Sequence, residues 1–212
     1  MNYPMQRIAA LFALLALGAL PGCASMSGDE CKLADWHTVG FEDGSRGASA
    51  SAIGRHREAC AEHGVAPDLQ AYQSGRAEGL REFCRPATGF RLGSGGSSYA
   101  GVCPDELETD FLPAYQDGRH LYQLQSQVKA VDAQIRSKNS EMEALKQTLS
   151  EDQELVILGD KSKEERILLL KEIWDLAKRQ GQLEEEILAL EKDRVLRIQE
   201  LENYRTEVAN LY

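Results

Sequence analysis

Two histidines and a cysteine open the search for chemistry in this 212-residue chain: His56, Cys60 and His63 stand at i, i+4 and i+7, one face of a helix. Imidazole and thiolate at that spacing are zinc-ligand types. A cysteine in an oxidising compartment is expected in a disulfide instead, so no metal or other cofactor is expected. Asp35-Trp36-His37 puts an acid beside a histidine, but neighbours on a helix point apart and form no dyad. Gly93-Ser94-Gly95-Gly96 resembles a phosphate cradle without its lysine and without a preceding strand. Neither Gly-x-Ser-x-Gly nor His-Glu-x-x-His occurs. No catalytic residue is assigned, and an envelope hydrolase is only the third reading.

A second set of residues is suited to binding. Ala71-Tyr72-Gln73-Ser74-Gly75-Arg76 matches Ala114-Tyr115-Gln116-Asp117-Gly118-Arg119 at five of six positions, and Phe41-Glu42-Asp43-Gly44-Ser45-Arg46 is a weaker third copy. Each places an aromatic ring three residues before a glycine, on one helix face. Glycine inside a helix costs about 1 kcal/mol against alanine, and close approach of a second helix is the expected offset. The alternative is a small-molecule or glycan groove on that face. It would use Trp36, Phe41, Gly44, Tyr72, Gly75, Arg76, Tyr115, Gly118 and Arg119.

The N-terminus carries a different chemistry. Arg7 precedes an unbroken apolar run, Ile8 to Leu20. At 13 residues it is shorter than the roughly 20 a spanning helix needs, and it reads as the core of a secretory signal. Leu20-Pro21-Gly22-Cys23 then resembles a lipobox, which makes Cys23 the expected site of acylation and the new N-terminus. Two or more acyl chains would anchor the chain stably. Ala24 follows, as in lipoproteins sorted to the outer membrane. The net charge of -10 argues against a nucleic-acid partner.

Four cysteines remain: Cys31, Cys60, Cys84 and Cys103. They allow three pairings, and none forms a CxxC. Helices predicted at 33–47 and 49–63 are joined by a short connection, so they should run antiparallel and bring Cys31 to Cys60. Cys84 would then pair with Cys103 around residues 85–102, which read as an irregular loop with five glycines. A third helix is predicted at 68–83, opened by Pro67-Asp68, and Gly64 can end the second.

These elements belong to an all-α fold: a small disulfide-stapled helical domain followed by a long antiparallel coiled-coil hairpin. The expected divisions are a signal peptide at 1–22, a lipidated tether at 23–30, a cysteine- and glycine-rich helical domain at 31–111 and the hairpin at 112–212. Leu121, Val128, Ile135, Met142 and Leu149 form heptad position a of the first arm, with Leu124, Val131, Lys138 and Leu145 at d. The second arm reads Ile173, Leu176, Leu183, Ile187, Leu190, Leu201, Tyr204, Val208 and Leu211, broken by Gln180, Arg194 and Arg197. Gly159-Asp160 should end the first arm, and Ser162 with Glu165 fits a capping box for the second.

Glu30-Cys31, Asp35-Trp36, Gly40, Asp43-Gly44, Ala59-Cys60, Tyr72-x-x-Gly75-Arg76, Gly79-Leu80, Cys84, Gly89-Phe90, Tyr99, Cys103-Pro104, Phe111, Tyr115 and Gly118 form an ordered set. It resembles the uncharacterised proteobacterial lipoproteins called domain of unknown function 2799, over about residues 24–125. The resemblance implies a lipoprotein with disulfides and carries no activity. The leading expectation is a non-enzymatic outer-membrane lipoprotein on the periplasmic face. Its coiled coil would engage a periplasmic protein or its own copy.

Overall fold

The computed structural model describes residues 26–212, and every regular element among them is a helix. The signal segment and Cys23 lie outside the described residues. In chain order the helices are α1 (Gly28–Leu33), α2 (Trp36–Ser45), α3 (Ala52–Ala61), α4 (Leu69–Phe83), α5 (Pro86–Ser94), α6 (Asp105–Leu158) and α7 (Lys163–Val208). No described helix is long and apolar enough to cross a membrane.

Short polar side chains start α1, α2, α4 and α7 by accepting from backbone N–H groups left free in the first turn. Ser27 and Glu30 form a capping box on α1, which therefore begins inside the segment expected to be a tether. Asp35 accepts from the His37 amide at 3.1 Å and opens α2, three residues later than expected. Asp68 accepts from Ala71 at 3.0 Å and opens α4. Gly64, at φ +70, ends the α3 segment: the Val65 amide reaches the Cys60 carbonyl and the Gly64 amide reaches that of Ala61.

Two compact units divide the chain. The described part of the first comprises residues 26–84 and 100–107, and the second comprises 85–99 and 108–212. Residues 85–99 therefore group with the coiled coil and not with the cysteine domain, a different division from the compositional one near 112. The expected irregular loop at 85–102 is corrected: residues 86–94 are helix α5, with Pro86 in its first turn, where a missing N–H costs nothing.

In the first unit, α2 packs on α4. Disulfides join Cys31 to Cys60 and Cys84 to Cys103, the expected pairs. Cys31, Cys60, Trp36 and Tyr72 form a buried cluster over which Met26, Val39, Ile53 and Val65 close.

In the second unit, α6 and α7 are the arms of an antiparallel hairpin. The α6 seam is placed as the heptads require: Leu121, Leu124, Val131, Met142 and Leu149 are buried, and Val128, Ile135, Lys138 and Leu145 half-buried. On α7, Leu183, Leu201 and Val208 are buried, but Leu211 lies past the helix end and is exposed, so it leaves the seam. Gly159 follows the last turn of α6, and the Ser162–Glu165 capping box restarts the chain. Polar rungs fix the register. Lys138 reaches Glu186 at 2.7 Å, Arg179 reaches Glu141 at 2.6 Å, Arg197 donates to Gln127 at 2.7 Å, and Arg194 pairs with Asp132.

Candidate functional site: two glycine crossings and a buried carboxylate

The glycines singled out by their spacing are where helices meet backbone to backbone. An added Cβ at Gly40 would run into the Tyr72 carbonyl, one at Gly44 into that of Arg76, one at Gly75 into that of His37, and one at Gly79 into that of Phe41. Only hydrogen fits at these four positions, two on each helix of the α2–α4 crossing. The second unit repeats the device: Gly93 lies against the Tyr115 carbonyl, Gly118 against that of Phe90, and Gly89 against that of Phe111.

The crossings are built from matching sequence, and the first half of the match is not the one expected. Gly40-Phe41-x-x-Gly44-Ser45-x-Gly47 corresponds to Gly89-Phe90-x-x-Gly93-Ser94-x-Gly96. Residues 41–46 are therefore the counterpart of 90–95, not a weak third copy of the Tyr72 and Tyr115 motifs. Both segments end in the same cap. Gly47 (φ +71) and Gly96 (φ +77) turn the chain in the left-handed region. Ala48 bonds back to Asp43 at 2.9 Å, and Ser97 to Leu92 at 3.1 Å. The repeated arginines have the same use. Arg76 donates to the Ala48 carbonyl at 2.9 Å and Arg119 to the Gly96 carbonyl at 3.0 Å, each tying the crossing helix to the other's C-terminal turn.

The side chains that complete the crossings differ. In the first, Asp43 is 4% exposed. Its Oδ2 accepts from the Tyr72 hydroxyl at 2.8 Å and lies 2.9 Å from His56 Nε2, and its Oδ1 accepts from Arg46 at 3.0 Å. Burial pushes the Asp43 carboxyl up, but the hydrogen bonds from Tyr72, His56 and Arg46 outweigh it and hold the group below its usual range. Burial and the Asp43 carboxylate together push the Tyr72 phenol well up, so it stays a donor. Trp36 and Tyr72 flank the His56 ring, with centroids 6.4 and 6.2 Å away. In the second crossing Leu92 takes the place of Asp43. Tyr115 donates instead to the Ser97 carbonyl at 3.1 Å, and Tyr99, Phe111 and Tyr115 form a ring cluster. The end of the chain closes over this part: Tyr212 stacks on Phe90 with centroids 4.8 Å apart and donates to Asp117 at 2.7 Å. Burial and Asp117 push the phenols of Tyr204 and Tyr212 up to about 12.

Each expected site residue now has a place. Trp36, Tyr72, Gly44 and Gly75 are buried in the first unit, and Gly118 lies buried against α5 in the second. Of the face read as a possible ligand groove, Gly44, Gly75 and Gly118 lie against a neighbouring helix. Phe41 remains exposed at its edge. A shallow groove of about 300 Å³ runs beside the first crossing, lined by Ile53, Leu69, Tyr72, Arg76, Leu80 and Pro104 among others. The His56–Cys60–His63 spacing brings no ligand set together. Cys60 is bonded to Cys31, His56 faces Asp43, and His63 lies beyond the end of α3. Asp35 is a helix cap, and His37 instead approaches Glu78 at 3.4 Å. Gly93-Ser94-Gly95-Gly96 is the last turn and cap of α5.

Sequence reasoning missed Asp43, the one charged residue buried among the described residues. The available signal was its place between Gly40 and Gly44, on a face already marked for burial.

Residues 35–120 match the family model described as a protein of unknown function, DUF2799. The matched span holds both crossings and Asp43 and stops before most of the coiled coil. No curated protein and no solved structure matches the chain.

Proposed function

We propose that this chain, whose residues 35–120 match the DUF2799 family model, is a non-enzymatic outer-membrane lipoprotein with a structural or protein-interaction role in the periplasm. In this reading Cys23 carries the lipid, the glycine-crossed units are rigid supports, and the hairpin presents the working surface. One observation carries it. Beyond its buried seam the hairpin leaves large apolar side chains in solvent near its turn: Ile157 and Leu158 are each 74% exposed, and Leu168 and Trp174 stand out on the other arm. Contiguous exposed apolar surface on a water-facing protein marks an interaction site. The Asp43 cluster does not compete as a reactive centre, because its carboxylate is enclosed by its own three donors. The membrane half of the proposal is tested by Cys23→Ser and fractionation of cells. Loss of the protein from the outer membrane, or accumulation of unprocessed chain, is expected. A variant that still floats with outer membranes would place the anchor elsewhere.

A further inference from the structure

One face of α7 has no partner among the described residues, and its pattern specifies the partner; the inference rests on the interaction role proposed above. Glycines inside the other long-range helix contacts are used consistently: Gly40, Gly75, Gly93 and Gly118 each lie against a carbonyl of a crossing helix. Gly181, within the 46-residue α7, lies against no such carbonyl: an added Cβ there would meet nothing within 4 Å, as at Gly54 in α3. Glycine is the poorest helix former after proline, so an interior glycine on an open face weakens the lone hairpin without return.

The residues around Gly181 are not scattered. Ile167, Trp174, Gly181, Leu188 and Val195 follow one another at intervals of seven, and Leu170 adds to the row one turn from Trp174. Trp174 is 64% exposed and Leu188 52%. The row stands one residue on from the inner seam positions Ile173, Gln180 and Ile187, about 100° round the helix. Single exposed apolar residues need no explanation, but a heptad row centred on a glycine is the pattern of a second helix–helix seam.

We propose that this row is a self-association seam, in which α7 of a second copy crosses antiparallel about a two-fold axis at Gly181. Charge decides the direction. Lys178 lies three residues before the glycine and Glu185 four after it, both exposed. The two-fold axis sets Lys178 of one copy against the Glu184–Glu185 pair of the other, twice over, and Trp174 opposite Leu188. A parallel pair would set Lys178 against Lys178 and Glu185 against Glu185. Lys178 already lies over the Trp174 ring, 5.7 Å from its centroid, which places its charge at the rim of the row. The absence of a side chain at Gly181 lets the two backbones close, as they do at the two crossings within the chain.

The test is sedimentation equilibrium of the full chain in detergent micelles, with circular dichroism to confirm unchanged helix content. A dimer is expected. Trp174→Glu should weaken it by about tenfold or more, as loss of a central aromatic does, while Leu196→Glu, off the row, should change it less than about twofold. Chains carrying Lys178→Cys mixed with chains carrying Glu185→Cys should crosslink to each other in preference to themselves. A monomeric chain, a Trp174→Glu variant that associates normally, or Lys178→Cys chains that crosslink chiefly to themselves would each overturn the proposal. A monomer that still crosslinks to another envelope protein in cells would leave the interaction role standing. A monomer with no partner would remove both.

Discussion

The two glycine crossings solve the same backbone problem and finish it with opposite chemistry. Both bring helix backbones together through Gly-Phe-x-x-Gly-Ser-x-Gly, a left-handed glycine cap and a Tyr-Gln-x-Gly-Arg segment. The first then buries a carboxylate with three donors, and the second has Leu92 at the same position and a cluster of rings from Tyr99, Phe111 and Tyr115. The comparison separates what the device needs from what it tolerates. The glycines, the cap and the arginine recur because backbone contact and orphan carbonyls require them. The residue between the glycines is free to be charged or apolar, provided its surroundings match.

The largest break in the comparison is at the glycines. Gly75→Ala should cost the first unit more than about 3 kcal/mol, the upper end for overpacking, because the obstacle is backbone and cannot rotate away. Gly118→Ala should do the same in the second. Gly54→Ala, with nothing within 4 Å of the added carbon, should instead be neutral or gain up to about 1 kcal/mol. Denaturant titrations followed by circular dichroism check all three; equal effects at Gly75 and Gly54 would contradict the crossing.

A smaller effect tests the difference between them. Asp43→Leu converts the first crossing to the chemistry of the second but leaves the Tyr72 hydroxyl buried without an acceptor, at a cost of about 2–3 kcal/mol. Adding Tyr72→Phe removes the orphan and should recover part of that loss. A double-mutant cycle with no coupling would mean that the hydrogen bond at 2.8 Å contributes nothing.

The smallest effect is on pH. The folded pKa of Asp43 lies below its unfolded value, so on acidification the unfolded chain takes up the proton first. The stability this group adds is present above the ordinary aspartate pKa and is lost as pH falls through its lowered folded value. Glu141 and Glu186 are also lowered, by Arg179 and Lys138, but at the surface. High salt should therefore weaken the hairpin's pH dependence and spare that of the first unit, since a Debye length of about 3 Å at 1 M screens exposed pairs first. With Trp174→Phe, the fluorescence of buried Trp36 reports the first unit alone.

What could be read from sequence follows the range of the interactions. The α6 seam, the hairpin turn at Gly159 and the Ser162 capping box are local patterns, and all were legible. The disulfides were legible because two short helices with a tight connection have few arrangements. Helix α5 was not. Gly89, Gly93, Gly95 and Gly96 look like a loop until α6, more than 20 residues on, is known to lie against Gly89 and Gly93. The signal that identifies it is the match to residues 40–47, most of which fall in the helix predicted at 33–47. Leu211 was misplaced because heptad spacing continues past the point where the helix ends.

In the proposed role the crossed helices support and the hairpin engages. Site-specific photo-crosslinking in intact cells tests it most directly, with the crosslinker placed in turn at Leu158 and Trp174 on the hairpin and at Arg57 and Glu82 on the first unit. Discrete crosslinked species are expected from the hairpin positions, lost when Cys23→Ser displaces the chain, and little from the first unit. Adducts that arise from Arg57 and Glu82 and not from the hairpin would contradict it.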